Sequence, residues 1–175
     1  MKQKTAVRVG VVMGSDSDWP LMKAAASTLD TFGVIHEVRV ISAHRAPKTA
    51  AAYGAAAARR GLQVILAAAG GAAHLAGVLA AHTTLPVIGV PVKGGAMDGL
   101  DALLATVQMP AGIPVATVAL GAAGPVNAAL LAVQILALAD PALATRLTRH
   151  KRQLAAKVAA ADRRIRGERK DASAS

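Results

Sequence analysis

Five short apolar runs, each followed by a stretch of helical periodicity, constrain this chain more than any other feature. The runs are AVRVGVVM (6–13), VIHEVRVIS (34–42), LQVILAAA (62–69), LPVIGVPV (85–92) and IPVATVAL (113–120). Helix-like stretches follow over 16–33, 46–61, 72–83, 98–108 and 124–140, and a long basic one over 141–167 closes the series. Gly33 ends the first of these, Pro47 sits in the first turn of the second, and Gly61 lies just past its end, where helices tolerate them. Strict alternation of this kind predicts a parallel sheet covered on both faces, because parallel strands must be joined by crossovers. The continuous apolar runs fit strands buried on both sides. The second run instead places His36 and Arg39 among Val and Ile, which predicts an edge or half-exposed strand.

The expected fold is α/β: a three-layer, doubly wound, five-stranded parallel sheet of flavodoxin-like order 2-1-3-4-5, plus a long C-terminal helix. The chain has 175 residues, which suits one domain. It reads as a single α/β domain over 1–165 that includes the C-terminal helix, with 166–175 a disordered basic tail. Hydrophobic residues make up 54% but aromatics only 2%, so alanine fills much of the interior. With a mean hydropathy of +0.43, a monomer has apolar surface to spare, and oligomerisation is the natural outlet.

Several function classes fall away. No cysteine is present, which excludes disulfides and thiolate metal sites. The start MKQKTAVRVG is basic but lacks the apolar stretch of a signal peptide. Residues 111–139 carry no charge, yet Gly121, Gly124 and Pro125 cut them into a strand and a short helix, marginal for a bilayer. No membrane span and a cytoplasmic location are expected. The net charge of +10 invites a nucleic-acid reading, but residues 146–175 hold ten Lys and Arg against three acids. Charge confined to one helix and tail, with no aromatic side chain for stacking, argues against nucleic acid.

In such a sheet, ligands bind at the carboxyl ends of the strands, beside the switch point between strands 1 and 3. Strand 1 ends at GSDSD, strand 2 at SAHRAP and strand 3 at AGGAAH. Gly14, the hydroxyls of Ser15 and Ser17 and the amides of a helix start form an anion cradle. The same residues also suit a capped helix with no ligand. Arg45 can grip a phosphate bidentately, and its neighbour His44 can exchange protons near neutral pH. Gly70 and Gly71 let backbone approach a ligand, with His74 close behind as either a ligand contact or a satisfied histidine. His36, His82 and His150 read as structural or solvated. A phospho-receiver domain lacks its acceptor Asp after strand 3 and its Lys after strand 5, and a flavodoxin lacks its aromatic loops. His44 and His74 alone make a weak metal set, so no metal is expected.

Together, MGSDSDWPLM, SAHRAP, AAAGGAAHLAGVLAAHTTLPVIGVPV, GLDALLATVQMPAGIPVATVALG and NAALLAVQILAL resemble the N5-carboxyaminoimidazole ribonucleotide mutase family of bacterial purine biosynthesis, the catalytic-subunit family of AIR carboxylase. The likeness covers about residues 6–140 as several blocks in order. It implies a homo-octamer, which would give the apolar helix 124–140 a partner. It implies movement of a carboxyl group from the exocyclic nitrogen of an imidazole ribonucleotide to ring carbon C4, with no metal and no organic cofactor. His44 would act first as acid and then as base. Ser15, Ser42 and Arg45, with Gly14, would hold the phosphate, and Asp18 the ribose hydroxyls, while Asp16 caps the helix and points away. Gly71, His74 and Leu75 would approach the base or its carboxylate. A transient contact with the upstream N5-CAIR synthetase is open on this reading.

Two departures stand out. Lys93 and Gly94 replace a Gln-Ser pair common after the fourth strand, and Ala46 stands where Thr is usual after HR. Two alternatives remain: an AIR carboxylase taking free CO2, whose branch carries a lysine where this chain has Arg45, and a non-enzymatic module that binds nucleotide phosphate.

Overall fold

The computed structural model describes residues 6–172. The basic start of the chain and the last three residues of KDASAS lie outside the described residues. The chain groups into two compact units, one up to Leu136 and one from Ala137 onward.

The first unit holds the sheet. Its strands are β1 (Val9–Met13), β2 (His36–Val40), β3 (Val64–Gly70), β4 (Val87–Val92) and β5 (Ala116–Thr117), all parallel, in the order 2-1-3-4-5. Helices α1 (Trp19–Thr31), α2 (Pro47–Ala57), α3 (Leu75–Ala81), α4 (Leu100–Val107) and α5 (Ala123–Ala137) alternate with the strands and cover both faces. The central strands β1, β3 and β4 are buried almost throughout, as their unbroken apolar sequence requires. β2 is an edge strand, with Val38 and Val40 exposed, which explains its alternating pattern.

Crossovers pack tightly enough to dictate residue size. A Cβ on Gly10 would collide with the Tyr53 hydroxyl and Leu62, and one on Gly89 with Thr106 of α4. Tyr53 also ties α2 to the sheet edge: its hydroxyl donates to Glu37 Oε1 at 2.8 Å, and the Arg60 guanidinium donates to Glu37 Oε2. Burial alone would raise the Glu37 pKa, but these two donors and the Arg60 charge outweigh it and hold the carboxylate low.

Where element limits differ from those the sequence suggests, local geometry explains why. β5 is two residues long instead of eight. Pro114, inside the expected run, has no N–H to give a ladder, and β5 is the other edge. Helix α3 starts at Leu75 because Ala73 is left-handed (φ 43°), and α4 starts at Leu100 because Asp98 and Gly99 both have positive φ. The apolar α5 is not an idle face: Ala128, Ala129, Ala132 and Val133 are fully buried. Large apolar side chains are left exposed on α4 instead, where Leu100, Leu104 and Val107 share one side.

The second unit is dominated by α6 (Pro141–Ala172). It continues past residue 166, in place of the expected frayed tail. Ala, Arg, Lys and Glu are good helix formers, and an Asp162–Arg166 pair at i,i+4 supports the turn across that boundary. Among the described residues no helix is long and apolar enough to cross a membrane.

Candidate active site

Parallel crossovers bring the carboxyl ends of β1, β2 and β3 to one edge of the sheet, and there the chain forms a cleft of about 450 Å³. Its wall is Gly14, Ser15, Ser17 and Asp18 after β1; Ser42, Ala43, His44 and Arg45 after β2; and Ala69, Gly70, Ala73, His74 and Leu75 at and after β3. The volume suits a small ligand.

The loop after β1 is folded by its own side chains. Ser15 is the N-cap of a single 3-10 turn, Asp16–Asp18, that leads into α1. Its hydroxyl accepts from the Ser17 amide at 3.3 Å, and Asp18 Oδ2 accepts from the Ser15 amide at 3.3 Å, which completes a capping box. The expected division of labour between the two acids changes accordingly. The cap is Ser15, not Asp16, whose Oδ1 accepts from the Ser17 amide at 3.1 Å. Asp18 is only 8% exposed, and among the described residues no hydrogen bond reaches its Oδ1. Burial raises its pKa, against the pull of the Ser15 amide, and the nearby Asp16 charge adds to the rise. Asp18 thus lines the cleft as a largely buried carboxylate with one oxygen bonded to the loop and the other left without a protein partner among the described residues.

The loop after β2 presents a basic pair. Ser42 Oγ accepts from the Arg45 amide at 3.1 Å and from Arg45 Nε at 3.4 Å. Arg45 Nη2 donates to the Gly14 carbonyl at 3.2 Å, which ties the guanidinium to the β1 loop. The positive charge and the hydroxyls of Ser15 and Ser17, bonded to each other at 2.8 Å, thus share one part of the cleft. Ala46 follows as the N-cap of α2 without any side-chain bond, the consequence of having no hydroxyl there.

The loop after β3 brings the second histidine. Gly71 itself does not line the cleft. With φ 61° it turns the chain between Gly70 and Ala73, which do. Ala73 is a left-handed non-glycine residue on the cleft wall, the sort of local strain that collects at functional sites. The turn delivers His74 to His44: His44 Nε2 and His74 Nδ1 lie 2.7 Å apart, with ring centroids 4.9 Å apart and planes at 81°. Thirty residues separate the two in sequence, and no spacing rule foretells the contact. Ala43 is the lining residue that sequence reasoning passes over. It carries no chemical signal and is placed only by its neighbours.

Other candidates sit elsewhere. Lys93 points its ammonium at Asp98, 2.8 Å away within the β4–α4 loop, and does not line the cleft. His36 and His82 bond to backbone carbonyls of Val34 and Val78.

The cleft therefore joins a guanidinium and serine hydroxyls, a buried carboxylate and a hydrogen-bonded histidine pair beside a wall of alanine and glycine. The AIR carboxylase family model matches residues 8–157. The chain belongs to the AIR carboxylase family.

Relatives in the family share most of its length. The N5-carboxyaminoimidazole ribonucleotide mutase of Mycobacterium tuberculosis (strain CDC 1551 / Oshkosh) is 59% identical over 155 residues, 89% of this chain and 88% of that protein. The mutase of the same name from Pyrococcus horikoshii is 55% identical over 150 residues, covering 86% and 84%. A crystal structure of Treponema denticola PurE superposes with a TM-score of 0.78 at 30% identity, over 88% of this chain and 95% of that one.

Proposed function

We propose that this chain is an isomerase of purine biosynthesis that converts N5-carboxyaminoimidazole ribonucleotide into 4-carboxyaminoimidazole ribonucleotide. The observation that carries the reading is the 59% identity to a mutase of that name over nearly the whole of both chains. The chemistry of the cleft supports it.

On this reading residues 1–165 form the catalytic domain. The substrate phosphate lies against Gly14, Ser15, Ser42 and Arg45, where a fixed cation and hydroxyls meet it. Asp18 accepts from the ribose hydroxyls. His74 and Leu75 face the imidazole and its carboxylate, with Gly71 shaping the turn that brings them there. His44 donates a proton to the exocyclic nitrogen, the N–CO2 bond breaks, and CO2 is held beside aminoimidazole ribonucleotide. Carbon C4 then attacks CO2, and His44, now neutral, removes the C4 proton. The cycle returns the proton to the residue that gave it, so one histidine serves as acid and base in turn. Ala69, Gly70 and Ala73 leave room for CO2 while offering it no competing polar partner. The assembly is a homo-octamer, an inference from the family resemblance, its location is the cytoplasm, and the upstream synthetase is the candidate for a transient contact.

One assay tests the reading. Purified protein is given N5-carboxyaminoimidazole ribonucleotide and, separately, aminoimidazole ribonucleotide with bicarbonate. Efficient conversion of the first alone is expected. Conversion of the second alone would assign the chain to the free-CO2 carboxylases, and conversion of neither would remove the enzymatic reading.

A further inference from the structure

The geometry points to His74 as the positioning residue that makes Nδ1 of His44 the nitrogen that gives and retakes the proton. The inference rests on the proposed mutase reading and adds to it an atom and a tautomer.

The two imidazoles meet through His44 Nε2 and His74 Nδ1 at 2.7 Å. At that distance a single hydrogen lies between them, so one ring donates and the other accepts. Suppose His74 Nδ1–H donates. Neutral His44 then carries its own proton on Nδ1 and has its lone pair tied up at Nε2. It cannot act as a base, and release of its Nδ1 proton would leave an imidazolate. Suppose instead that His44 Nε2–H donates. His74 is then the Nε2–H tautomer, accepting at Nδ1. In the acid form His44 is an imidazolium with protons on both nitrogens. It loses the Nδ1 proton to the substrate and becomes the neutral Nε2–H tautomer, with a lone pair on Nδ1 ready to take the C4 proton. The bond to His74 is the same before and after, so no ring turns and no second proton moves between the two halves of the reaction. This arrangement serves an acid that becomes a base with a single proton transfer at each step and no relay through His74.

The surroundings fit. Both rings line the cleft. Among the described residues no hydrogen bond reaches His44 Nδ1 or His74 Nε2, so each ring keeps one nitrogen for a ligand. His74 Nε2–H is left as a donor, the right polarity for a substrate carboxylate. The near-perpendicular rings, at 81°, let the two spare nitrogens address different parts of one ligand. Histidines that act in chemistry or bind metals are commonly fixed in this way through the nitrogen that does not react.

Two measurements test the assignment. In the wild-type protein labelled with 15N-histidine, at about pH 8 where ordinary histidines are neutral, spectra should show His44 protonated on Nε2 and His74 on its own Nε2. A nitrogen–nitrogen coupling through the shared hydrogen bond should link His44 Nε2 to His74 Nδ1. A His44 protonated on Nδ1, or no coupling between the two rings, would overturn the proposal. In kinetics, His74→Asn and His74→Leu both lose the imidazole that faces the substrate, but only Asn offers an amide oxygen to His44 Nε2–H, so kcat of the Leu variant should lie roughly tenfold or more below that of the Asn variant. Equal kcat losses in the two variants, both folded by circular dichroism, would also overturn it. A wild-type protein that shows the coupling but turns over no substrate refutes the function reading and leaves the hydrogen bond standing.

Discussion

Residue by residue, the proposed reading separates binding from chemistry in the cleft. On that reading His44→Asn removes the proton donor while leaving the residues proposed to hold the phosphate in place. Turnover should fall by at least about 10²-fold, with substrate affinity nearly unchanged in isothermal titration. Arg45→Ala should do the reverse in kind. It removes the cation that ties the β1 and β2 loops together at Gly14, and the substrate dissociation constant should rise roughly tenfold or more, in line with a lost charge-assisted bond. Asp18 makes a different prediction. Its pKa is raised in the folded state, chiefly by burial. The folded protein therefore holds this proton to higher pH than the unfolded chain does. Its contribution to stability falls as pH climbs from the ordinary carboxyl value of 3.8 through the raised one. At neutral pH the buried carboxylate is a cost. Asp18→Asn should melt above wild type at pH 7 by differential scanning calorimetry, and the gap should close as the pH approaches 3.8 from above. Its substrate affinity should fall. A variant that melts lower at pH 7 would show the capping box to outweigh burial.

Among the secondary-structure elements, the sequence reads well wherever a local rule governs. Gly33 and Gly61 end their segments in left-handed geometry (φ 65° and 94°), and Pro47 opens α2. Differences fall where tertiary contact or an unusual φ takes over: the shortened β5 with Pro114 at its edge, and the late starts of α3 and α4 behind Ala73 and Gly99. Alanine at position 73 gives no hint of the left-handed turn it adopts, since glycine is the usual occupant. Ala46 leaves α2 without a side-chain cap. Ala46→Thr should supply one and stabilise the protein by about 1 kcal/mol, read as a higher midpoint in urea with an unchanged slope. No gain in midpoint would mean that the backbone at this N-cap, with ψ 56°, holds the hydroxyl away from the helix amides.

For the molecule as a whole, composition announces surplus apolar surface, and the fold relocates it. The apolar α5 buries its alanine face, while Leu100, Leu104 and Val107 of α4 and Val40 of β2 stay exposed in the single chain. A soluble protein covers such surface by association. Light scattering on the purified protein should give a mass eight times 17.6 kDa if the assembly carried over from the family holds, and a monomer mass would remove that proposal.

The order of elements, the edge position of β2 and the three loops that carry Ser15, His44 and His74 are all legible in the residues alone. Periodicity, glycine and proline act over a few residues, and the right-handed crossover fixes where strand ends must gather. What those loops do to one another is settled by packing. The 2.7 Å contact of His44 with His74, the tie from Arg45 to Gly14, and the burial that raises the pKa of Asp18 have no signal in the chain. Each depends on close approach and dehydration at a shared edge, which exist only once the sheet has formed.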